Sequence, residues 1–146
     1  MPSLEIRPFV AADHAAARAL WERTPGAGLS AADEAPAIEA FLLRNPGLSH
    51  VALQGGQLVG TILCGHDGRR GLIHHLVTAP DHRRQGLGRA LLQHGLRSLH
   101  GAGIDKCHLM VFRNNAEGLA FWRRVGAQER VELGLYSMPT RGAEGP

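Results

Sequence analysis

Tyrosine occurs once in this chain of 146 residues, cysteine twice, and aromatic residues make up only 5% of it. Each scarcity excludes something. So few rings leave no row of stacking platforms for unpaired bases, which argues against a single-strand nucleic-acid binder. Cys64 and Cys107 are too few for a disulfide framework and agree with a reducing compartment. No run of about 18 apolar residues occurs, so no segment is long enough to cross a bilayer as a helix. Met1-Pro2-Ser3-Leu4-Glu5 has neither the basic region nor the apolar core of an export signal. A soluble, cytoplasmic chain with no membrane partner is the expectation.

The composition, 44% hydrophobic and 20% charged, suits one folded domain. Residues 1–139 carry it, and Thr140 to Pro146, with no large apolar side chain, reads as a loose tail. The net charge is +3, and the densest basic run, His82-Arg83-Arg84, sits in a glycine-rich turn and not on a long stripe. A small phosphorylated ligand explains that run more economically than nucleic acid does.

Local signals give an order of elements. Leu4-Glu5-Ile6-Arg7 alternates like a strand, and 13–23 and 33–44 carry helix-spaced apolar residues. Segments 49–54 and 57–64 flank Gly55-Gly56, a two-residue hairpin signal. A strand over 71–78 ends at Pro80, which cannot donate to a ladder. Leu91, Leu92, Leu96 and Leu99 mark a helix closed by Gly101 and Gly103. A strand over 107–112, a helix after Asn115 and a last strand over 131–138 complete the chain. This is a mixed α/β domain with a largely antiparallel sheet.

The turn Pro80-Asp81-His82-Arg83-Arg84-Gln85-Gly86-Leu87-Gly88-Arg89 is the most informative stretch. A helix starts just after it, and the first amides of a helix lack intrahelical partners at the positive end of its dipole. With Arg83, Arg84 and Arg89 nearby, the combination suits a pyrophosphate. A P-loop is excluded because no Gly-Lys-Ser/Thr follows. A dinucleotide fold is excluded because Leu91 stands where the third glycine belongs.

In fuller context, Leu76-x-Thr78-x-Pro80-x-x-Arg83-x-x-Gly86-x-Gly88 resembles the acetyl-CoA motif of the GNAT N-acetyltransferases, Arg/Gln-x-x-Gly-x-Gly/Ala. Asn115-x-x-Gly118-Leu119-x-Phe121-Trp122-Arg123-Arg124-Val125-Gly126 is similar to that family's second conserved stretch. The resemblance implies a central twisted, largely antiparallel sheet of about six to seven strands flanked by about four helices. It further implies that the strands over 71–78 and 107–112 splay apart to admit the pantetheine arm of acetyl-CoA. Carried over by position, Leu76 and Thr78 offer backbone groups to the thioester and pantetheine. Arg83, Arg84, Gln85, Gly86, Leu87, Gly88 and Arg89 surround the pyrophosphate, and Asn115 contacts the arm, unless it only caps its helix.

Amine acetylation requires that the ammonium lose a proton and that the tetrahedral oxyanion meet donors. The Leu76 amide is the expected oxyanion donor. The family often carries a strand Glu that works through water, but Leu72 occupies the matching position. His74, two residues on and therefore on the same face of a regular strand, is the candidate base, and His75 is expected on the opposite face. The family's usual thiol-protonating Tyr is replaced by Trp122, whose indole is no acid at ordinary pH. Tyr136, the sole tyrosine, is the candidate substitute. Cys64, His66, Cys107 and His108 do not share a strand face and are not expected to hold a metal.

Asp33, Glu34 and Glu39 offer charge to a cationic acceptor, or simply form a solvated helix start. The reading is therefore direct acetyl transfer to a primary amine by one domain, with a homodimer compatible. Two rivals stand beside it: a non-catalytic acyl-CoA-binding module and a basic nucleic-acid-binding domain.

Overall fold

The computed structural model describes residues 3–83 and 85–142. Arg84, expected near the pyrophosphate, lies outside the described residues, as do residues 143–146 of the expected tail. The elements are β1 (Leu4–Pro8), α1 (His14–Glu22), α2 (Ala35–Arg44), β2 (His50–Gln54), β3 (Gln57–His66), β4 (Gly71–Thr78), α3 (Leu87–Gly101), β5 (Cys107–Leu109) and α4 (Ala116–Arg124). Single 3-10 turns at Ala11–Asp13, Ala31–Asp33 and Pro80–His82 precede α1, α2 and α3.

Five strands form one sheet in the order β1-β2-β3-β4-β5. Successive strands from β1 to β4 pair antiparallel, while β5 returns parallel to β4 after α3. The β2–β3 turn has φ of 59° at Gly55 and 80° at Gly56, the left-handed pair that matches the twist of a two-residue hairpin. Arg7 forks onto Asp13, with both Nη–Oδ distances 2.8 Å, and ties β1 to the start of α1.

One layer of helix lies on each face of the sheet. α3 packs on β2, β3 and β4, and Gly95 makes this close: a Cβ there would lie 2.7 Å from Cys64 Sγ. The opposite face is covered by α1 and α2, and Trp21 of α1 is fully buried there. Its indole Nε1–H donates to Thr61 Oγ1 at 2.9 Å, which satisfies the one polar atom a buried Trp carries.

The expected last strand over 131–138 is not formed, so the described residues hold five strands and not six or seven. Val131, Leu133, Leu135, Tyr136 and Met138 are all exposed. An alternating pattern supplies only one face of a strand, and it also needs a long edge to pair with. β5 runs for just three residues, not the six expected over 107–112, and offers no such edge.

Candidate active site

The site is made where β4 and β5 part. Their parallel ladder runs from Gly71↔Cys107 to Ile73↔Leu109 and stops. Beyond it a cleft of about 1160 Å³ opens between the second half of β4, the start of α3 and the start of α4. β4 is irregular at this point. Thr61 of β3 pairs with Val77 and Leu63 with His74, so His75 and Leu76 together oppose Ile62 in a bulge. His75 has φ of 46°, the only described non-glycine residue in the left-handed region.

The bulge corrects the expected faces of the two histidines. A regular strand would send them to opposite sides, but the left-handed residue turns both rings towards α1 and α2. His74 meets Phe41 edge-on, with ring centroids 6.2 Å apart. His75 lies 4.5 Å from the Trp21 ring and its Nε2 is 2.6 Å from Asp33 Oδ1. Both rings line the cleft and a smaller side cavity of about 380 Å³. Burial pushes the His74 imidazole below its ordinary value, and its neighbour His75 adds to this, against a smaller opposite pull from Asp33.

At the mouth of the cleft, Gly86 takes φ of 77° and leads into α3. The first helical bond is from the Ala90 amide to the Gly86 carbonyl, 3.0 Å, so the amides of Leu87, Gly88 and Arg89 come before it. Gly88 serves helix packing: a Cβ there would lie 3.3 Å from the Phe121 ring of α4. Thr78, Arg83, Gly86, Leu87, Gly88 and Arg89 border the cleft, and Arg83 pairs with Glu117 across it. Gln85 is exposed beside this turn and is not among the lining residues.

Asn115 caps α4, its Oδ1 accepting from the Gly118 amide at 3.0 Å, and it also lines the cleft. The link between α1 and α2 lies over this segment. A Cβ on Gly26 would lie 2.7 Å from Asn115 Nδ2, and one on Gly28 2.7 Å from the Phe112 ring. Trp122 lines the cleft and packs edge-on against Phe121, with centroids 5.2 Å apart.

The other expected residues fall elsewhere. Tyr136 is 93% exposed and does not line the cleft, although Leu135 does. Glu34 pairs with Arg18 at 3.5 Å and Glu39 is exposed on α2, whereas Asp33 is buried against His75. Among the described residues no three His, Cys, Asp or Glu side chains stand together as a metal cluster would. The contact missed by sequence reasoning is His75–Asp33; the Ser30-to-Asp33 spacing signals a capping turn but not a partner 42 residues away.

The site is thus a slot between parting strands, with a helix start whose free amides favour anions at its mouth. Comparison with known proteins narrows this. The model of the acetyltransferase (GNAT) family matches residues 10–127. An acetyltransferase of Pectobacterium atrosepticum is 34% identical over 126 residues, covering 84% of this chain and 86% of that one. Two solved structures share the fold: Ard1 of Thermoplasma volcanium (TM-score 0.74, 20% identity, 84% and 81% covered) and the PaiA N-acetyltransferase of Thermoplasma acidophilum with coenzyme A (0.72, 22%, 85% and 89%). The chain belongs to the GNAT family, and it is an N-acetyltransferase.

Proposed function

We propose that acetyl-CoA lies in the cleft with its pyrophosphate at the start of α3 and its thioester at the β4 bulge, and that the acetyl group passes directly to a primary amine. The observation that carries this is the bulge itself. Leu76 falls in the bulge, outside the regular β3–β4 register and where the cleft opens, and its amide is the proposed oxyanion donor. Thr78 and Asn115 flank the arm, and the amides of Leu87, Gly88 and Arg89, with the Arg83 side chain, meet the phosphates. The acceptor enters from the side cavity, between Ser30 and the two imidazoles.

Cys64 is not a nucleophile for a covalent route. It is buried, and desolvation pushes its thiol up to about 12, so the thiolate is scarce. In the direct route the amine nitrogen bonds the acetyl carbon, the C–S bond breaks, and the adduct's N–H proton goes to the thiolate.

The test is thermal unfolding with and without acetyl-CoA, followed by a CoA-release assay over a panel of amines. Acetyl-CoA should raise Tm by mass action, and at least one amine should saturate. Binding without saturable release would favour the acyl-CoA-binding module, and no shift at millimolar acetyl-CoA would overturn the reading. The exposed Val131, Leu133, Leu135 and Met138 favour a second copy covering them, which sedimentation at graded concentration would test.

A further inference from the structure

We infer that His75 takes the acceptor's ammonium proton and that Asp33 positions its ring for this. The inference rests on acetyl-CoA occupying the cleft as described above, and it departs from the sequence expectation that His74 is the base.

The first support is the cost of the arrangement. A left-handed, non-glycine residue inside a strand is strained and persists only when its surroundings hold it. Here they do so from three sides. Thr61 Oγ1 donates to the His75 carbonyl at 2.7 Å, and is itself fixed by the Trp21 indole. The His75 ring lies against Trp21, and its Nε2 is 2.6 Å from Asp33 Oδ1. Asp33 is fixed in turn. Its Oδ2 accepts from the Ser30 amide at 2.9 Å, and its carbonyl meets His14 Nε2 at 2.8 Å and Arg18 Nη1 at 3.3 Å.

The second support is chemical. A carboxylate only accepts, so the hydrogen between the pair sits on His75 Nε2 and the lone pair is on Nδ1. Nδ1 makes no hydrogen bond to the described residues. When Nδ1 takes the proton from R–NH₃⁺, the imidazolium is held by Asp33 at hydrogen-bond distance. The freed R–NH₂ forms the C–N bond, and imidazolium later returns its proton to water. His74 has no such partner. It is pressed against Phe41, and no carboxylate lies within hydrogen-bond distance of it among the described residues.

The third support is position. His75 precedes Leu76, the proposed oxyanion donor, and its ring borders both the cleft and the side cavity that Ile38, Phe41 and Leu63 wall with apolar groups. The charged or titratable neighbours facing the pair are His74 on β4, His14 and Arg18 on α1, and Glu34, which Arg18 holds.

The experiment measures kcat/KM against pH for wild type, His75→Gln, Asp33→Asn and His74→Gln. It uses glycinamide and an alkyl diamine as acceptors and calorimetry for acetyl-CoA. We expect a wild-type limb that is the same for both amines. His75→Gln should lose it, with a fall of about 100-fold, the low end for a general base. Asp33→Asn should lower kcat more than it raises the acetyl-CoA KM, because the ring loses the carboxylate that orients it. His74→Gln should keep the limb. A limb that follows each acceptor's own pKa, or that survives His75→Gln with acetyl-CoA binding intact, overturns the inference while leaving the function standing. Wild type that fails to bind acetyl-CoA overturns both. A nitrogen-15 spectrum of wild type at alkaline pH needs neither acceptor nor variant: it should show His75 protonated on Nε2, and a proton on Nδ1 instead would also overturn the inference.

Discussion

Arg83 reaches across the mouth of the cleft to Glu117, with Nη1 3.0 Å from Oε2, and so joins the turn before α3 to the first turn of α4. Glu117 is largely exposed, so the pair contributes at most about 1 kcal/mol, less in salt. In the proposed seating of acetyl-CoA, the diphosphate at the start of α3 would compete for the same guanidinium. Glu117→Gln should therefore tighten acetyl-CoA binding by about 2- to 5-fold in low salt, with the gain fading above physiological ionic strength. Isothermal titration at two salt concentrations reads this directly, and weaker binding in the variant would show that Glu117 helps to place Arg83.

Gly88 and Gly86 should respond differently to substitution. At Gly86 a side chain meets open space but the φ of 77° penalises it, by roughly 1–2 kcal/mol. At Gly88 the helix tolerates a side chain, but the Phe121 ring stands 3.3 Å from where Cβ would be. Gly86→Ala should lower Tm and keep most of the acetyl-CoA-induced rise in Tm. Gly88→Val should shift Phe121 towards the cleft and cut that rise sharply. Unfolding curves with and without acetyl-CoA separate the two.

Much of this site was legible from local punctuation. Gly71 and Pro80 bound β4, and Gly86 with Gly101 bound α3, because glycine and proline act through their own backbone and need no distant partner. The two motifs fall on the walls of the cleft, and they were readable for the same reason: amides at a helix start are local. The faces of His74 and His75 were not legible, since a period of two presumes a regular ladder and the bulge breaks it. Asp33 was visible as a charge beside a helix start, while its role depends on a residue 42 positions away.

Buried histidines set the acid limit of the fold. Burial, and secondarily the facing His94, holds His50 below the ordinary histidine value, and its Nδ1 has no hydrogen-bond partner among the described residues. His74 is displaced the same way, chiefly by burial. Below about pH 6.5 the unfolded chain takes up protons that the folded chain refuses, so stability falls as pH drops from there towards the folded values. Asp13 adds a later loss. Burial raises its carboxyl, but the hydrogen bonds from Arg7 and the Val10 amide outweigh this and leave it lowered, so its share goes only below about pH 4. Urea unfolding from pH 8 to 3 should show both phases, and His50→Gln should flatten the first. An unchanged first phase in that variant would assign it to other groups.

Cys64 and Cys107 offer a check on direct transfer. Both thiols are raised by burial, Cys64 to about 12, so neither should be alkylated quickly by iodoacetamide at pH 8 in the native protein. Cys64→Ser should retain acetyl transfer and lose stability, because it places a hydroxyl beside Ile62 and Gly95 in the core. Rapid loss of activity on alkylation, in step with modification of Cys64, would point to a covalent acetyl-enzyme instead.

Tyr136 tests how the thiolate acquires its proton. It is the only phenol in the chain, but it is almost wholly exposed and stands outside the cleft lining. A thiol near its ordinary value leaves without strong acid assistance, and the attacking amine must shed a second proton in the same step. That proton and the thiolate arise on two atoms bonded to the same carbon of one adduct, so transfer between them, directly or through one water, requires no side chain. Tyr136→Phe should accordingly leave kcat within about 2-fold of wild type, well short of the roughly 100-fold loss that removing a general acid causes. Trp122→Phe should lower Tm more than kcat, since its indole packs against Phe121. A large loss of kcat in Tyr136→Phe with acetyl-CoA affinity unchanged would mean that the segment after α4 folds over the cleft during turnover and brings the phenol to the sulfur.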